Sequence, residues 1–220
     1  QTMADDPIGR TDETAGSATI TLTTARGACR GGGRQNSAYP YDPQKAAALV
    51  KSSVYHGQPI NILYSNNQQY ELTMAPGIQQ MLQQIGLNAT LRSATDTEIQ
   101  AFVAPLTGHQ IAFDGWSVDL PDAYDLYNGV LQCSNNLAGG TQAAHYCNPA
   151  ADALVNQAEA LPLGPDRNAL FHQAQLLHLK AAARVPLVFQ KSTELISPKV
   201  GGFYYQPMFG WQIENYWLNP

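Results

Sequence analysis

Apolar residues recur along this chain in two rhythms, and the places where one gives way to the other mark its elements. Pro59-Ile-Asn-Ile-Leu-Tyr is a short β-branched and aromatic run of the kind that forms a strand. Behind it Tyr70, Met74, Ile78, Met81, Leu82 and Ile85 fall three or four apart, which stacks them on one helix face, and Gly86 follows as a C-terminal cap. Leu87-Asn-Ala-Thr-Leu-Arg predicts a second strand. Asp96-Thr-Glu-Ile opens another helix that turns Ile99, Phe102, Val103 and Leu106 inward and stops at Gly108, and Gln110-Ile-Ala-Phe-Asp-Gly-Trp predicts a third strand.

The flanks follow the same logic. Asp42-Pro43 supplies a capping carboxylate and a proline at the first helical position, ahead of Ala46, Leu49 and Val50. Asn148-Pro149 repeats the device, a further helix runs from about Asp166 to Ala182, and Pro186-Leu-Val-Phe-Gln returns as a strand. The stretch to Pro220 alternates turn residues with aromatics, which predicts strand and coil wrapping onto another surface. Residues 1–37 are rich in Gly, Thr and Arg, and read as a poorly assigned arm in which only Ala18-Thr-Ile-Thr-Leu-Thr has a strand's alternation.

Strands and helices alternating with short connections predict an α/β fold with a mostly parallel sheet flanked by helices. Ligands in such sheets bind beyond the carboxyl ends of the strands, so Gly115-Trp-Ser-Val-Asp-Leu-Pro-Asp, after the third strand, is where binding residues are expected.

Charge narrows the partners. Twelve Lys and Arg against 17 Asp and Glu give a net charge of -5, without the clustered cations that a nucleic-acid backbone demands. Between Arg92 and Arg167 lie nine carboxylates and no Lys or Arg, a segment that favours a cationic ligand or simply forms a solvated acidic face. No apolar run approaches the ~20 residues of a membrane span, and the first residues lack the basic and apolar parts of a signal sequence. Of the three cysteines, Cys133 and Cys147 flank a Gly/Asn-rich loop; a disulfide and two buried thiols are both open on spacing alone, and zinc is disfavoured without a CxxC pair.

Enzyme motifs fail on inspection. Ser117 in Gly115-Trp-Ser-Val-Asp lacks the second glycine of a nucleophile elbow. His145 and Cys147 have no orienting third group, and Asp114, Asp119, Asp122 and Asp125 are not spaced as a calcium loop. His56, His109, His145, His172 and His178 form no HExxH and read as surface or capping residues. No catalytic residue, metal site or cofactor is expected. Paired carboxylates such as Asp119 and Asp122 keep a peptide or glycoside hydrolase as the alternative, and a surface domain without small ligand is a third reading.

Five motifs, in order, carry a resemblance: Tyr39-Pro-Tyr-Asp-Pro-Gln-Lys-Ala, the Ile85-Gly86 pair, Gly115-Trp-Ser-Val-Asp-Leu-Pro-Asp, Tyr146-Cys-Asn-Pro, and Val185-Pro-Leu-Val-Phe before Ser197-Pro-Lys-Val-Gly-Gly-Phe. Together, over residues 38–220, they resemble the C-terminal lobe of family-5 extracellular solute-binding proteins, the capture components of ABC importers for peptides and nickel. The resemblance implies a type II periplasmic-binding-protein-like lobe and reversible capture of a peptide-like or other cationic-amine ligand. Its implied ligand contacts are Asp119, whose position holds the ligand's α-ammonium in peptide-binding members, with Trp116, Ser117, Tyr124 and Tyr127 beside it. For Asp119 a helix-capping role is the competing expectation, for Trp116 a place in the core, and Tyr124 and Tyr127, three apart on a helix, equally fit the core. The resemblance also implies a Cys133–Cys147 disulfide, with Cys29 left over. It implies a periplasmic or extracellular location, a permease partner, and contact with the membrane only through that permease or through a lipid anchor outside this chain. Family members are longer and two-lobed, so a truncated or partial protein is expected, with residues 202–220 returning to a first lobe that residues 1–37 cannot replace.

Overall fold

The structure, a computed structural model, describes residues 20–26, 39–105, 111–117, 119–120, 122–189, 195–206 and 210–219, with the backbone alone at 20–26, 117, 189, 205 and 206. In chain order the main elements are β1 (Ile20–Arg26), α1 (Pro43–Ser52), β2 (Ile60–Ser65), α2 (Gln69–Gln84), β3 (Ala89–Ala94), α3 (Asp96–Val103), β4 (Ile111–Ser117), α4 (Ala123–Leu126), α5 (Pro149–Glu159), α6 (Pro165–Ala181) and β5 (Arg184–Phe189). Among the described residues four two-residue strands follow: β6 (Val200–Gly201), β7 (Tyr205–Gln206), β8 (Gly210–Trp211) and β9 (Trp217–Leu218).

The expected capping chemistry is present. Asp42 accepts from Lys45 N–H at 2.9 Å ahead of Pro43, and Asn148 accepts from Ala150 and Ala151 ahead of Pro149. Thr95 and Glu98 form a reciprocal capping box on α3. Gly86 takes the left-handed conformation, φ 98°, that ends α2.

The sheet is parallel throughout, in the order β3-β2-β4-β1-β5. Consecutive residues of β2 explain why both faces are covered. Ile62 points into a cluster with Ala75 of α2 and with Ile111 and Phe113 of β4, joined by Tyr70, Met74, Ile78 and Leu82. Leu63 points the other way, onto Ile99 and Val103 of α3 and Ala112 of β4. A third cluster joins Ala151, Val155 and Ala158 of α5 to Phe171 and Ala174 of α6.

Several expectations are corrected. The strand glimpsed near Ala18 is β1, and it lies inside this sheet, paired along its length with β4 and on its other side with β5. Met81 lies at the edge of the α2 stripe and is 45% exposed. Helix α3 ends at Val103, while Leu106 and Gly108 fall outside the described residues. β3 and β4 are not neighbours; both pair with β2, so the strand order reverses there. The C-terminal aromatics form two short antiparallel ladders, β6 with β9 and β7 with β8, and leave Tyr204, Trp211, Ile213, Trp217 and Leu218 more than half exposed.

Candidate functional site

At the carboxyl end of β4 the chain leaves the sheet through Trp116, and Asp119 and Leu120 are exposed beyond it. Asp122 then caps α4 by accepting from Tyr124 N–H at 2.8 Å. The capping role that competed for Asp119 therefore belongs to its neighbour three residues on. Asp122 is also gripped by Arg167 of α6 through two bonds of 2.8 and 2.9 Å, and this fork holds its carboxyl below the ordinary range.

Trp116 is half-buried. Its indole N–H donates to Asp125 Oδ2 at 2.9 Å, and the same oxygen accepts from Asp119 N–H at 3.2 Å. The ring lies against Gly129, where an added Cβ would stand 2.4 Å from it. These contacts make a ledge at the strand tip, with an indole set by its neighbours and the main chain of the exposed Asp119 tied to the same oxygen.

The other expected contacts divide. Tyr127 does not belong to the ledge: it is 4% exposed, its ring stacks 5.5 Å from Phe171, and its hydroxyl donates to the Phe171 carbonyl at 2.9 Å. Tyr124 packs on the same helical cluster. Three residues apart on a helical segment, the two share one face, and that face is turned toward α5 and α6. The side chain of Ser117 lies outside the described residues.

The acidic segment is far less free than its sequence suggests. Besides Asp122, Asp114 pairs with Arg184 of β5 at 2.8 Å, Asp125 is engaged as above, and Asp152 accepts from Cys133 N–H at 3.0 Å. Burial drives the Asp114 carboxyl up, against the pull of the Arg184 charge. Neither arginine was legible as a partner, since each comes from outside the acidic run and many residues downstream.

Cys133 and Cys147 are joined in a disulfide. The loop it closes is packed down on α3: Gly139 N–H donates to Ala104 O, and a His145 ring nitrogen lies 2.6 Å from Val103 O. His178 corrects the expectation of surface histidines. It is 7% exposed among Tyr127, Tyr146 and Arg184, with its pKa lowered to about 4 by burial and by the Arg184 charge. Beside it a crevice with room for about one water is lined by Gln142, Tyr146 and Arg184, too small for a solute. Among the described residues no cluster of three His, Cys, Asp or Glu is arranged to hold a metal. No helix is long and apolar enough to cross a membrane, among those residues.

A family model described as bacterial extracellular solute-binding proteins, family 5 Middle, matches residues 16–138. The chain is 25% identical over 174 residues to di/tripeptide-binding protein 4 of Pseudomonas aeruginosa (strain UCBPP-PA14), covering 77% of this chain and 32% of that protein. It is 25% identical over 183 residues to the glutathione-binding protein GsiB of Escherichia coli (strain K12), covering 80% and 36%. Among solved structures, the dipeptide-binding protein from Pseudoalteromonas sp. SM9913 in complex with Met-Leu superposes with a TM-score of 0.71 at 22% identity, over 81% of this chain and 36% of that one. The chain spans about a third of the length of the curated relatives it matches.

Proposed function

Because the chain belongs to family 5 of the bacterial extracellular solute-binding proteins, we propose that it carries the amine-recognising wall of an ABC importer's capture protein, with Asp119 holding the ligand's ammonium group. The observation that supports this most is the exposed carboxylate of Asp119 at the carboxyl end of β4, beside an indole whose place is set from two sides. A desolvated ion pair there orients a ligand and penalises a neutral one. Trp116 offers a flat apolar surface to the ligand's side chains. Asp114 and Asp122 are paired with arginines and Asp125 accepts from two N–H groups, which leaves Asp119 as the exposed carboxylate at this strand tip. Peptides are the proposed solutes.

The mechanism is capture without bond chemistry. The exposed aromatics Tyr204, Trp211 and Trp217 are the residues proposed to meet a second lobe, and closure over the ligand would present the loaded form, on the outer side of the cytoplasmic membrane, to the permease. A lobe that closes must bind its ligand better closed than open. Calorimetry with matched dipeptides tests the reading. Heat is expected with a free amino terminus and none with the acetylated peptide, whereas equal heats would remove the ammonium from recognition.

A further inference from the structure

Trp116 is still paired with β1 near the end of β4, but the ladder stops at Ser117 and Asp119 lies beyond it. One carboxylate oxygen ties them together. Asp125 Oδ2 accepts from the indole N–H at 2.9 Å and from the Asp119 main-chain N–H at 3.2 Å. We infer that Asp125 is a positioning residue of the ledge, setting the aromatic wall and the anionic tip in one geometry and thereby the affinity for an amine-bearing peptide. The affinity half of this inference rests on the function proposed above.

Asp125 is suited to the task because the turn that carries it is anchored at its start. It sits in α4, a single turn whose first residue follows the Asp122 cap, and that cap is clamped by Arg167 from α6. A line of support thus runs from a 17-residue helix through Arg167, Asp122 and α4 to the shared oxygen. On the other side Gly129 presents bare backbone to the indole; an added Cβ would lie 2.4 to 3.0 Å from three ring atoms, so the ring is held in place from both sides. An ionised acceptor bonds its donors more strongly than a neutral one, and two donors at one oxygen leave it poorly placed to greet a ligand. The roles therefore separate: the Asp119 side chain is exposed to the guest, while the Asp125 oxygen faces the protein's own N–H groups. Ordering the ledge before binding removes a conformational cost that binding would otherwise bear.

The test compares the wild-type chain with Asp125→Ala and the near-isosteric Asp125→Asn, reading the Trp116 indole and Asp119 amide signals by 15N-correlated NMR. Trp116→Phe assigns the indole among the three tryptophans. Asp125→Ala is expected to move both signals together and to weaken a free-amino-terminus dipeptide roughly tenfold. Asp125→Asn, which keeps an acceptor but loses the charge, is expected to fall between and carries the test should the alanine variant fail to fold. Unmoved signals would overturn the positioning role, and so would displaced signals with unchanged dipeptide affinity. A wild-type chain that takes up no dipeptide sinks the proposed function instead, and the two NMR signals alone then decide whether Asp125 holds the ledge.

Discussion

Arg167 grips Asp122 through both of its terminal nitrogens, at 2.8 and 2.9 Å, and its guanidinium lies 4.7 Å from the centre of the Phe171 ring. One side chain therefore fastens α6, the helical core and the start of α4. Both partners are largely shielded, at 11% and 22% side-chain exposure, so removing one leaves the other poorly solvated. Arg167→Ala is expected to cost about 2–4 kcal/mol in urea unfolding. Arg167→Lys should recover only part of it, because an ammonium cannot fork onto a carboxylate.

Two groups contribute stability that acid removes, against the opposite contribution of the raised carboxyls of Glu71, Asp114 and Asp152. His178 is held neutral in the fold, with a pKa of about 4 against 6.5 when unfolded, so between those values the unfolded chain binds more protons. Its contribution is complete above pH 6.5 and disappears as pH falls to 4, on the order of 3 kcal/mol. Asp122 acts at lower pH: its depressed carboxyl stabilises the fold above 3.8, and that share is lost as pH drops through its folded value. Urea unfolding from pH 7 to 4 should show the first loss in the wild type and a flatter profile in His178→Phe. Parallel profiles would mean that His178 already shares its site with solvent.

The Cys133–Cys147 bridge closes a loop of 14 residues, a length for which cross-linking stabilises by about 3 kcal/mol through the unfolded chain. Reduction, or Cys133→Ser with Cys147→Ser, is expected to lower the unfolding free energy by that order. Exchange should also speed up at the Gly139 amide, which donates across to Ala104. A thiol assay on denatured, unreduced protein should find neither cysteine free.

The elements were legible in the sequence because each carries its own signal. Asp42-Pro43 and Asn148-Pro149 are local devices whose partners lie within a turn. The order of strands was not, since nothing between Ala94 and Ile111 states on which side of β2 the next strand will dock. β1 shows the same limit: its alternation was visible, but its place between β4 and β5 is a long-range property. In the candidate site, Asp119 and Trp116 could be found from a motif. Helical spacing placed Tyr124 and Tyr127 on one face but did not state whether that face meets a cleft or the core; the packing of α5 and α6 makes it the core. Asp125 was visible as one more acid in a run; only the fold shows which N–H groups meet at its oxygen.

Whether the Asp119 carboxylate grips a ligand's ammonium is read most directly from the dissociation constant of one unblocked dipeptide for the wild-type chain and for Asp119→Asn. Losing a charge-assisted bond worth about 1.5–3 kcal/mol should weaken binding roughly 10- to 100-fold, with the unfolding midpoint unchanged because the side chain is exposed. Equal constants for the two proteins would contradict the account.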